Sequence, residues 1–272
     1  MKQILSLMLI CFLIMCVGCS KRLGVTHKGF LMELDPENNI VWENYDYSSP
    51  ICFNRDNQGN KLIIDRDKNI STAINKDGEE VWVYFDGKFN HIERTPDGNF
   101  LLSKNESYNP SIVELNYLTE IVWKIDNMPY VTMASKLPTG NYILSSRQEN
   151  AIKEIDKDGK VIWETKKDLL LQPYSVVRLS DGNYLISDFD HHRVIKIDKD
   201  SNILWKTTIP LNHPKSALKL KNGNYVIADA DNARIIFIDK EGNIIHERKK
   251  IIPTSMNLSP SGNVTVSGQF VE

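Results

Sequence analysis

The sequence is poor in cysteine and lacks the short motifs of several large enzyme classes. Four of its 272 residues are cysteine, and three of these, Cys11, Cys16 and Cys19, fall within the first nineteen positions. Cys52 is the one thiol in the rest of the chain, so no intramolecular disulfide can form there. HExxH, paired CxxC, P-loop, GxSxG and GxGxxG patterns do not occur. We therefore expect no metal and no cofactor.

A dominant charge of one sign is also missing. The chain has 33 lysines and arginines against 35 aspartates and glutamates, a formal net charge of −2, and no basic block. This balance argues against a nucleic-acid partner. Hydrophobic residues make up 41% and charged residues 25% of the chain, a composition typical of a folded protein with a buried core.

The one long apolar run lies at the N-terminus. It extends from Ile4 to Gly18 after the positive charge of Lys2. Fifteen residues are short for a membrane-spanning helix, which needs about 20, but they fit a secretory signal peptide. We therefore assign residues 1–19 to a signal peptide and residues 20–26 to a tether.

The end of this run, Val17-Gly18-Cys19, resembles the bacterial lipobox, whose cysteine is acylated and becomes the mature N-terminus. Cys16 stands where that motif usually has leucine. The resemblance implies lipidation at Cys19 and a bacterial protein anchored by lipid to the cell membrane, on its extracytoplasmic face. The alternatives are an uncleaved short anchor and a plain cleaved signal peptide.

A repeat of about 40 residues fills the remainder of the chain. The frame at Leu179–Thr207 recurs without a gap at Leu137–Thr165 and Leu220–Arg248, with weaker copies at Asp56–Tyr84 and Thr95–Ile125. Each copy contains alternating apolar runs bounded by turn residues. This pattern predicts the four-stranded blades of a β-propeller.

Two landmark residues in each repeat give the number of blades. A glycine follows the first strand, and a tryptophan, or once a histidine, lies in the last: Gly59, Gly98, Gly140, Gly182, Gly223 and Gly262; Trp42, Trp82, Trp123, Trp163, Trp205 and His246. The chain begins with a tryptophan half-unit, Gly29–Asn44, and ends with a glycine half-unit, Leu258–Glu272. Left apart, the halves would expose unpaired strand edges. We therefore predict an all-β, six-bladed propeller over residues 27–272, a single domain whose last blade is built from both termini.

The expected strand directions separate scaffold from candidate site. One repeat reads as strand A (174–179), B (184–188), C (193–198) and D (203–207). The A–B and C–D turns then share one end of the ring, here named the turn rim. The B–C and D–A loops share the other, the variable rim. The turn rim repeats its Asp-Gly and Gly-Asn residues, which suit tight hairpins. The variable rim differs between blades and is expected to carry any site.

The landmark residues themselves are interpreted as structural. The glycines permit the hairpin turns. A tryptophan in the same slot of successive blades is what packing between blades requires, because each large ring buries about 150–250 Å². The unit Asp158-Gly159-Lys160-Val161-Ile162-Trp163 resembles the quinoprotein-type propeller repeat. Acidic metal ligands of that class have no counterparts here, so no quinone cofactor is inferred.

Two B–C segments resemble NHL repeats: Asp188 is followed five residues later by Arg193, and Asp229 by Arg234. Each pair can join strands B and C as a charge-assisted tie. The alternatives are a polar ligand site formed by these residues and, less favoured, calcium binding at the Asp-x-Asp pairs. The ligand-binding candidates of the chain are His91, Arg147, Asp188, His191, His192, Arg193, Asp229 and Arg234.

The stretch from Asn90 to Asn99 resembles the arylsulfotransferase-type propellers, in which an inner-strand histidine before a Pro-x-Gly-Asn hairpin can carry the transferred sulfuryl group. Only His91 matches; the equivalent slots hold Cys52, Met133, Ser175, Ser216 and Ser255. His91 is thus a weak catalytic candidate, a ligand contact or an ordinary channel residue.

These observations favour a monomeric, extracytoplasmic, membrane-anchored binding or interaction module. Its variable rim would present a site to a protein, a glycan or a small anionic ligand. The alternatives are an arylsulfotransferase-like enzyme that uses His91 and a scaffold subunit of an envelope complex.

Overall fold

The structure is a computed structural model that describes residues 25–85, 89–104 and 110–271. The expected signal peptide, Cys19, most of the tether and residues 105–109 of one B–C loop lie outside these ranges. No helix in the described part of the chain is long and apolar enough to cross a membrane.

In the described part of the chain, twenty-four strands form six antiparallel sheets of four strands each. Blade one contains β3 (Pro50–Arg55), β4 (Lys61–Asp65), β5 (Ile70–Ile74) and β6 (Glu80–Tyr84). Blade two contains β7 (Phe89–Arg94), β8 (Phe100–Lys104), β9 (Ser111–Leu115) and β10 (Ile121–Asp126). Blade three contains β11 (Val131–Lys136), β12 (Tyr142–Ser146), β13 (Ala151–Ile155) and β14 (Val161–Glu164).

The remaining blades follow the same order from strand A to strand D. Blade four contains β15 (Ser175–Arg178), β16 (Tyr184–Asp188), β17 (Arg193–Ile197) and β18 (Ile203–Lys206). Blade five contains β19 (Pro214–Lys219), β20 (Tyr225–Asp229), β21 (Arg234–Ile238) and β22 (Ile244–Lys249), with a 3-10 turn at Ala230–Asn232. Blade six contains β23 (Ile251–Leu258), β24 (Val264–Val271), β1 (Val25–Leu34) and β2 (Ile40–Asn44).

The chain termini meet in blade six. Strand β24 from the C-terminus pairs antiparallel with β1 from the N-terminus, in a register that runs from Val25↔Val271 to Leu34↔Val264. The A strands of successive blades contact one another in the cycle β3, β7, β11, β15, β19, β23 and back to β3. The prediction of six blades closed by the two terminal halves is therefore confirmed.

The tryptophans pack five of the six D strands against the next blade. Trp123 stacks on Tyr142 with ring centres 3.9 Å apart, and Trp163 stacks on Tyr184 at 4.2 Å. The indole nitrogens of both rings donate to carbonyls of the following blade, Lys157 O and Lys199 O, each at 2.7 Å. These contacts show packing between blades, as expected from the recurrence of one slot.

The hydrophobic core is divided among the spaces between neighbouring sheets. The cluster around Phe30, Phe237 and Val266 joins blades five and six, and the cluster around Ile92, Leu62 and Phe100 joins blades one and two. At the turn rim the A–B glycines adopt positive φ, as at Gly182 (81°) and Gly262 (96°). Side chains with a β-carbon rarely take this conformation, which explains the repeated glycine.

Candidate functional site

The starts of the A strands line a small cavity of about 40 Å³ in the central channel, towards the variable rim. Its lining includes five residues with hydroxyl groups, Thr132, Ser175, Ser216, Thr254 and Ser255, together with Met133 and Met256. Several of these tie neighbouring blades: Thr132 Oγ1 donates to Tyr174 O, and Ser216 Oγ donates to Met256 O at 3.0 Å. Ser216 lies in the inner slot identified in the sequence, and Thr132 lies one position before it, so both positions connect neighbouring A strands.

His91 belongs to this wall and is 5% exposed. Its Nδ1 lies 3.9 Å from the Sγ of Cys52, in the equivalent slot of blade one, and its Nε2 lies 3.7 Å from a Glu93 oxygen. Burial alone would lower the pKa of His91, but Cys52 and Glu93 outweigh it and raise that pKa to about 10. Burial raises the pKa of the Cys52 thiol, and the His91 contact brings it below its ordinary value. The pair favours a thiolate beside an imidazolium.

In the first NHL-like segment, Asp188 and Arg193 form an ion pair in the variable rim that also hydrogen-bonds the D–A loop. We name such an aspartate–arginine pair a latch. Asp188 is fully buried, and its Oδ2 accepts from Arg193 Nε at 2.7 Å and lies 2.8 Å from His191 Nδ1. Its Oδ1 accepts from the backbone N–H of Leu171, while Arg193 Nη2 donates to Leu169 O. The pair thereby fastens the D–A loop to strands B and C of blade four.

The second NHL-like segment repeats this arrangement in blade five. Asp229, also fully buried, accepts from Arg234 Nε at 2.6 Å and from the backbone N–H of Asn212 at 2.7 Å. Arg234 donates in addition to Pro210 O and to Glu247. Both guanidinium groups are therefore already engaged by carboxylates and carbonyls, and neither lines the cavity that contains His91.

Arg147 differs from these two arginines because no carboxylate in the described part of the chain pairs with it. It starts the B–C loop of blade three, and its Nη2 donates to the side-chain oxygen of Gln172 at 2.6 Å. Its Nε is buried without a hydrogen-bond partner among the described residues. The guanidinium lies over three rings, 4.6 Å from the centre of Phe189, 5.6 Å from Tyr174 and 5.7 Å from Tyr130.

Two further cations accompany Arg147 at the mouth of the channel. The Lys215 ammonium lies 6.0 Å from the centre of the Tyr174 ring, which Arg147 also contacts. Burial lowers the pKa of Lys215, Asp231 opposes this effect, and the charges of Arg147 and Arg66 lower it further. We name Arg66, Arg147 and Lys215 the mouth cations. They come from blades one, three and five, and within the described ranges none of them forms an ion pair.

An aromatic strip continues from the mouth cations across blades four and five. Phe189 stacks on His213 with ring centres 4.4 Å apart, and His213 lies 4.4 Å from His192. His213 is also 2.5 Å from an Asp231 oxygen and 3.7 Å from an Asp190 oxygen. Among the described residues, no three histidine, cysteine or acidic side chains are placed to hold a metal ion.

The structure thus sorts the candidate residues into three places. His91 lies in the channel wall, Arg147 lies at the mouth, and the Asp188 and Asp229 latches with Arg193 and Arg234 lie in the loops of blades four and five. His191 belongs to the first latch, whereas His192 joins the aromatic strip. Sequence reasoning did not single out Lys215, Tyr174 or Tyr130. Lys215 and Tyr174 each precede the inner slot, where other blades have Ile51, Asn90, Thr132 and Thr254.

The second half of the chain matches a known family. The family profile described as outer membrane protein assembly factor BamB matches residues 147–271, somewhat less than half of the 272 residues. This stretch contains blades four and five with parts of blades three and six. No curated protein matches the chain in sequence.

Solved structures share the architecture at low sequence identity. A protein of unknown function from Bacteroides caccae is 18% identical with a TM-score of 0.63, and the match covers 82% of this chain and 93% of that one. Virginiamycin B lyase from Staphylococcus aureus is 19% identical with a TM-score of 0.60, covering 86% and 80%. The WD40 propeller domain of Doa1 is 14% identical with a TM-score of 0.65, covering 85% and 82%. Identities this low show a common fold and carry no information on activity.

Proposed function

We propose that this protein is a binding module whose ligand site is the channel mouth on the variable rim, and that its ligand is anionic. The observation that carries the proposal is the contrast between two sets of cations on one rim. Arg193 and Arg234 are held by buried aspartates. The mouth cations form no ion pair in the described part of the chain, and the charges of Arg147 and Arg66 lower the pKa of Lys215, an effect that Asp231 opposes.

Unpaired like charges at one mouth are unfavourable without an anion. Arg147 and Arg66 disfavour the charged form of Lys215, which is also partly buried. An anionic group placed among them would relieve this repulsion and accept charge-assisted hydrogen bonds, which are stronger than neutral ones. Since these side chains extend from rigid blades, little ordering would be needed on binding.

The arylsulfotransferase-like alternative has less support. His91 is almost completely buried, and its cavity of about 40 Å³ has room for little more than one or two water molecules. Arg193 and Arg234, which could otherwise neutralise the negative charge of a transferred sulfuryl group, are engaged in the latches. Turnover of an aryl sulfate by the wild-type protein that disappears in His91→Ala would favour the enzyme.

A role in protein assembly is the second candidate function. It is supported by the match of residues 147–271 to the family described as an outer membrane protein assembly factor. In that case the anionic ligand would be an acidic segment of a protein partner, bound at the same mouth. Both candidate functions, scaffold and ligand-binding module, would thus use the same charged surface.

We also propose that the domain is tethered to the extracytoplasmic face of a bacterial cell membrane through a lipid on Cys19. Support comes from Val17-Gly18-Cys19 following a fifteen-residue apolar run. Mass spectrometry of the mature N-terminus should find an acylated Cys19, and Cys19→Ala should leave the precursor uncut. An unmodified mature N-terminus at any other residue would remove the lipid anchor from the proposal.

Calorimetric titration with tricarballylate, a ring-free tricarboxylate, tests the anion site. We expect binding that weakens with added salt and that weakens about tenfold in Lys215→Ala and again in Arg147→Ala. Lys199→Ala is the matched control, since it removes the same charge from an exposed position on the turn rim. An equal loss in Lys199→Ala, or no binding at low salt, would contradict the proposal.

A further inference from the structure

A pocket beside Arg147 extends the mouth outwards between blades three and four. Its volume is about 550 Å³, and it is lined by Tyr130, Arg147, Gln148, Asn150, Leu171 and Gln172. The size is within the range of pockets for small organic ligands, about 300–1,000 Å³. It is far larger than the cavity at His91, so a ligand anchored at the mouth has space for additional groups here.

The lining combines one cation, one aromatic ring and three amides, without a carboxylate. The nearest acid in sequence, Glu149, is held by Lys153 at 2.7 Å and by Ser146 at 2.8 Å. Arg147 is therefore the one charge that the pocket wall offers to a ligand, and its buried Nε has no partner among the described residues.

The amides are arranged so that their donor groups remain available. The side-chain oxygen of Gln172 accepts from Arg147, and the side-chain oxygen of Asn150 accepts from the backbone N–H of Gln172 at 2.8 Å. Their amide nitrogens have no hydrogen-bond partner elsewhere in the described ranges. Each can donate two hydrogen bonds, and Gln148 adds another exposed amide.

Tyr130 supplies an exposed ring on the side of the pocket that faces blade three. It is 42% exposed, and its ring centre lies 5.7 Å from the Arg147 guanidinium. Such a ring offers a flat apolar face together with a polar hydroxyl. A sugar has matching features, because its C–H face packs on an aromatic ring and its hydroxyls pair with amides.

We infer that the ligand class of this pocket is an acidic saccharide, with its carboxylate on Arg147 and one sugar ring against Tyr130. The inference rests on the proposed anion site and adds the chemical class of the ligand. An aryl or purely aliphatic anion would use the arginine but leave the three amides without partners. The combination of a ring face, several amide donors and a single unpaired guanidinium fits a hydroxylated ring that carries a carboxylate.

Calorimetric titration of the full chain with trigalacturonate tests the inference, with neutral galactotriose as the uncharged comparison. We expect trigalacturonate to bind at least about tenfold more tightly than galactotriose, since the neutral sugar loses the charge-assisted bonds. Tyr130→Ala should weaken trigalacturonate binding about tenfold, while Tyr130→Phe keeps the ring and most of the affinity. Tyr117→Ala is the matched control, because Tyr117 is similarly exposed (46%) but lies in a C–D turn on the opposite rim.

The outcomes separate this inference from the proposed function. Tricarballylate binding that depends on Lys215, combined with trigalacturonate binding unaffected by Tyr130→Ala, would overturn the saccharide inference and leave the anion site standing. Equal affinity for galactotriose and trigalacturonate would also overturn it. Binding of trigalacturonate that is sensitive to Tyr130 and Arg147 but not to Tyr117 would support it.

Discussion

At the scale of single residues, the inner slot of each A strand shows how one position can serve two purposes. Ser216 uses it to tie blade five to blade six through Met256 O. Cys52 and His91 occupy the same slot in adjacent blades and face each other instead. A thiol and an imidazole buried together can share one proton as a charged pair, which neither group would form alone in a low-dielectric interior.

The first prediction concerns the protonation of this pair. Nitrogen chemical shifts of the His91 ring should show an imidazolium at pH 8 that loses its proton near pH 10. In Cys52→Ala the midpoint should fall, because the hydrogen bond and negative charge of the thiolate are removed. A His91 ring that is neutral at pH 8 would contradict the ion pair.

The same pair predicts the direction of a stability change at alkaline pH. The thiol of the unfolded chain loses its proton near its ordinary pKa of 9.0, whereas His91 in the folded chain has a pKa of about 10. The folded state then binds more protons than the unfolded state, so the free energy of unfolding should fall as pH rises from 9 to 10. Denaturant titrations at these two pH values measure the change, and His91→Gln should lack this contribution.

At the scale of strands and loops, the latches explain why recurring charged residues need not form a site. The spacing of Asp188 and Arg193 is visible in the sequence, and the two positions pair directly across strands B and C. In blade six the position equivalent to Asp188 and Asp229 is Gly268, where an added β-carbon would lie 2.6 Å from Ile252 O. In blade one the equivalent position is Asp65, but its partner on strand C is Ile70 instead of an arginine.

The second prediction follows from the incomplete latch of blade one. Asp65 is fully buried, and its Oδ2 has no hydrogen-bond partner among the described residues. Ile70→Arg should complete the latch and raise the free energy of unfolding by about 1 kcal/mol, measured by denaturant titration. Ile70→Gln is the control for loss of the isoleucine side chain. The same change in both variants would show that the guanidinium does not reach Asp65.

At the scale of the whole molecule, ring closure depends on pairing between chain ends. Regularly spaced glycines and tryptophans predicted the strands of blade four to within about two residues, and their offset at the termini predicted how blade six is built. Repetition makes this possible, since the same packing problem recurs in each blade.

The site could be predicted only in part. The sequence placed any site on the variable rim and gave Arg147 among eight ligand-binding candidates, but the clustering of Arg66, Arg147 and Lys215 depends on the curvature of the ring. These residues come from three blades that are not neighbours and are separated by up to 149 positions in sequence. Local periodicity does not encode such distances. Lys215 could have been recognised as a candidate from an alignment of the six repeats, because the other five have an uncharged residue at its position.

The third prediction tests closure. Deletion of residues 258–272 removes β24, leaving β1 and β2 without their sheet and β23 without its partner. The lost pairing and packing should exceed the net stability of a typical domain, about 5–15 kcal/mol, so the truncated chain should be unfolded by circular dichroism. Adding the missing segment as a peptide should restore part of the signal. A truncated chain that melts within a few degrees of the intact protein would contradict the shared blade.

The most direct test of the central claim is hydrogen exchange, measured by mass spectrometry on the intact protein with and without saturating tricarballylate. Binding of tricarballylate to the mouth cations should slow hydrogen exchange in four peptides that border the channel on the variable rim. These peptides cover residues 130–133, 147–150, 172–175 and 213–216. The turn-rim peptides 179–183 and 198–202 should exchange as before. Protection of the turn rim with no change at the channel mouth would contradict the proposed site.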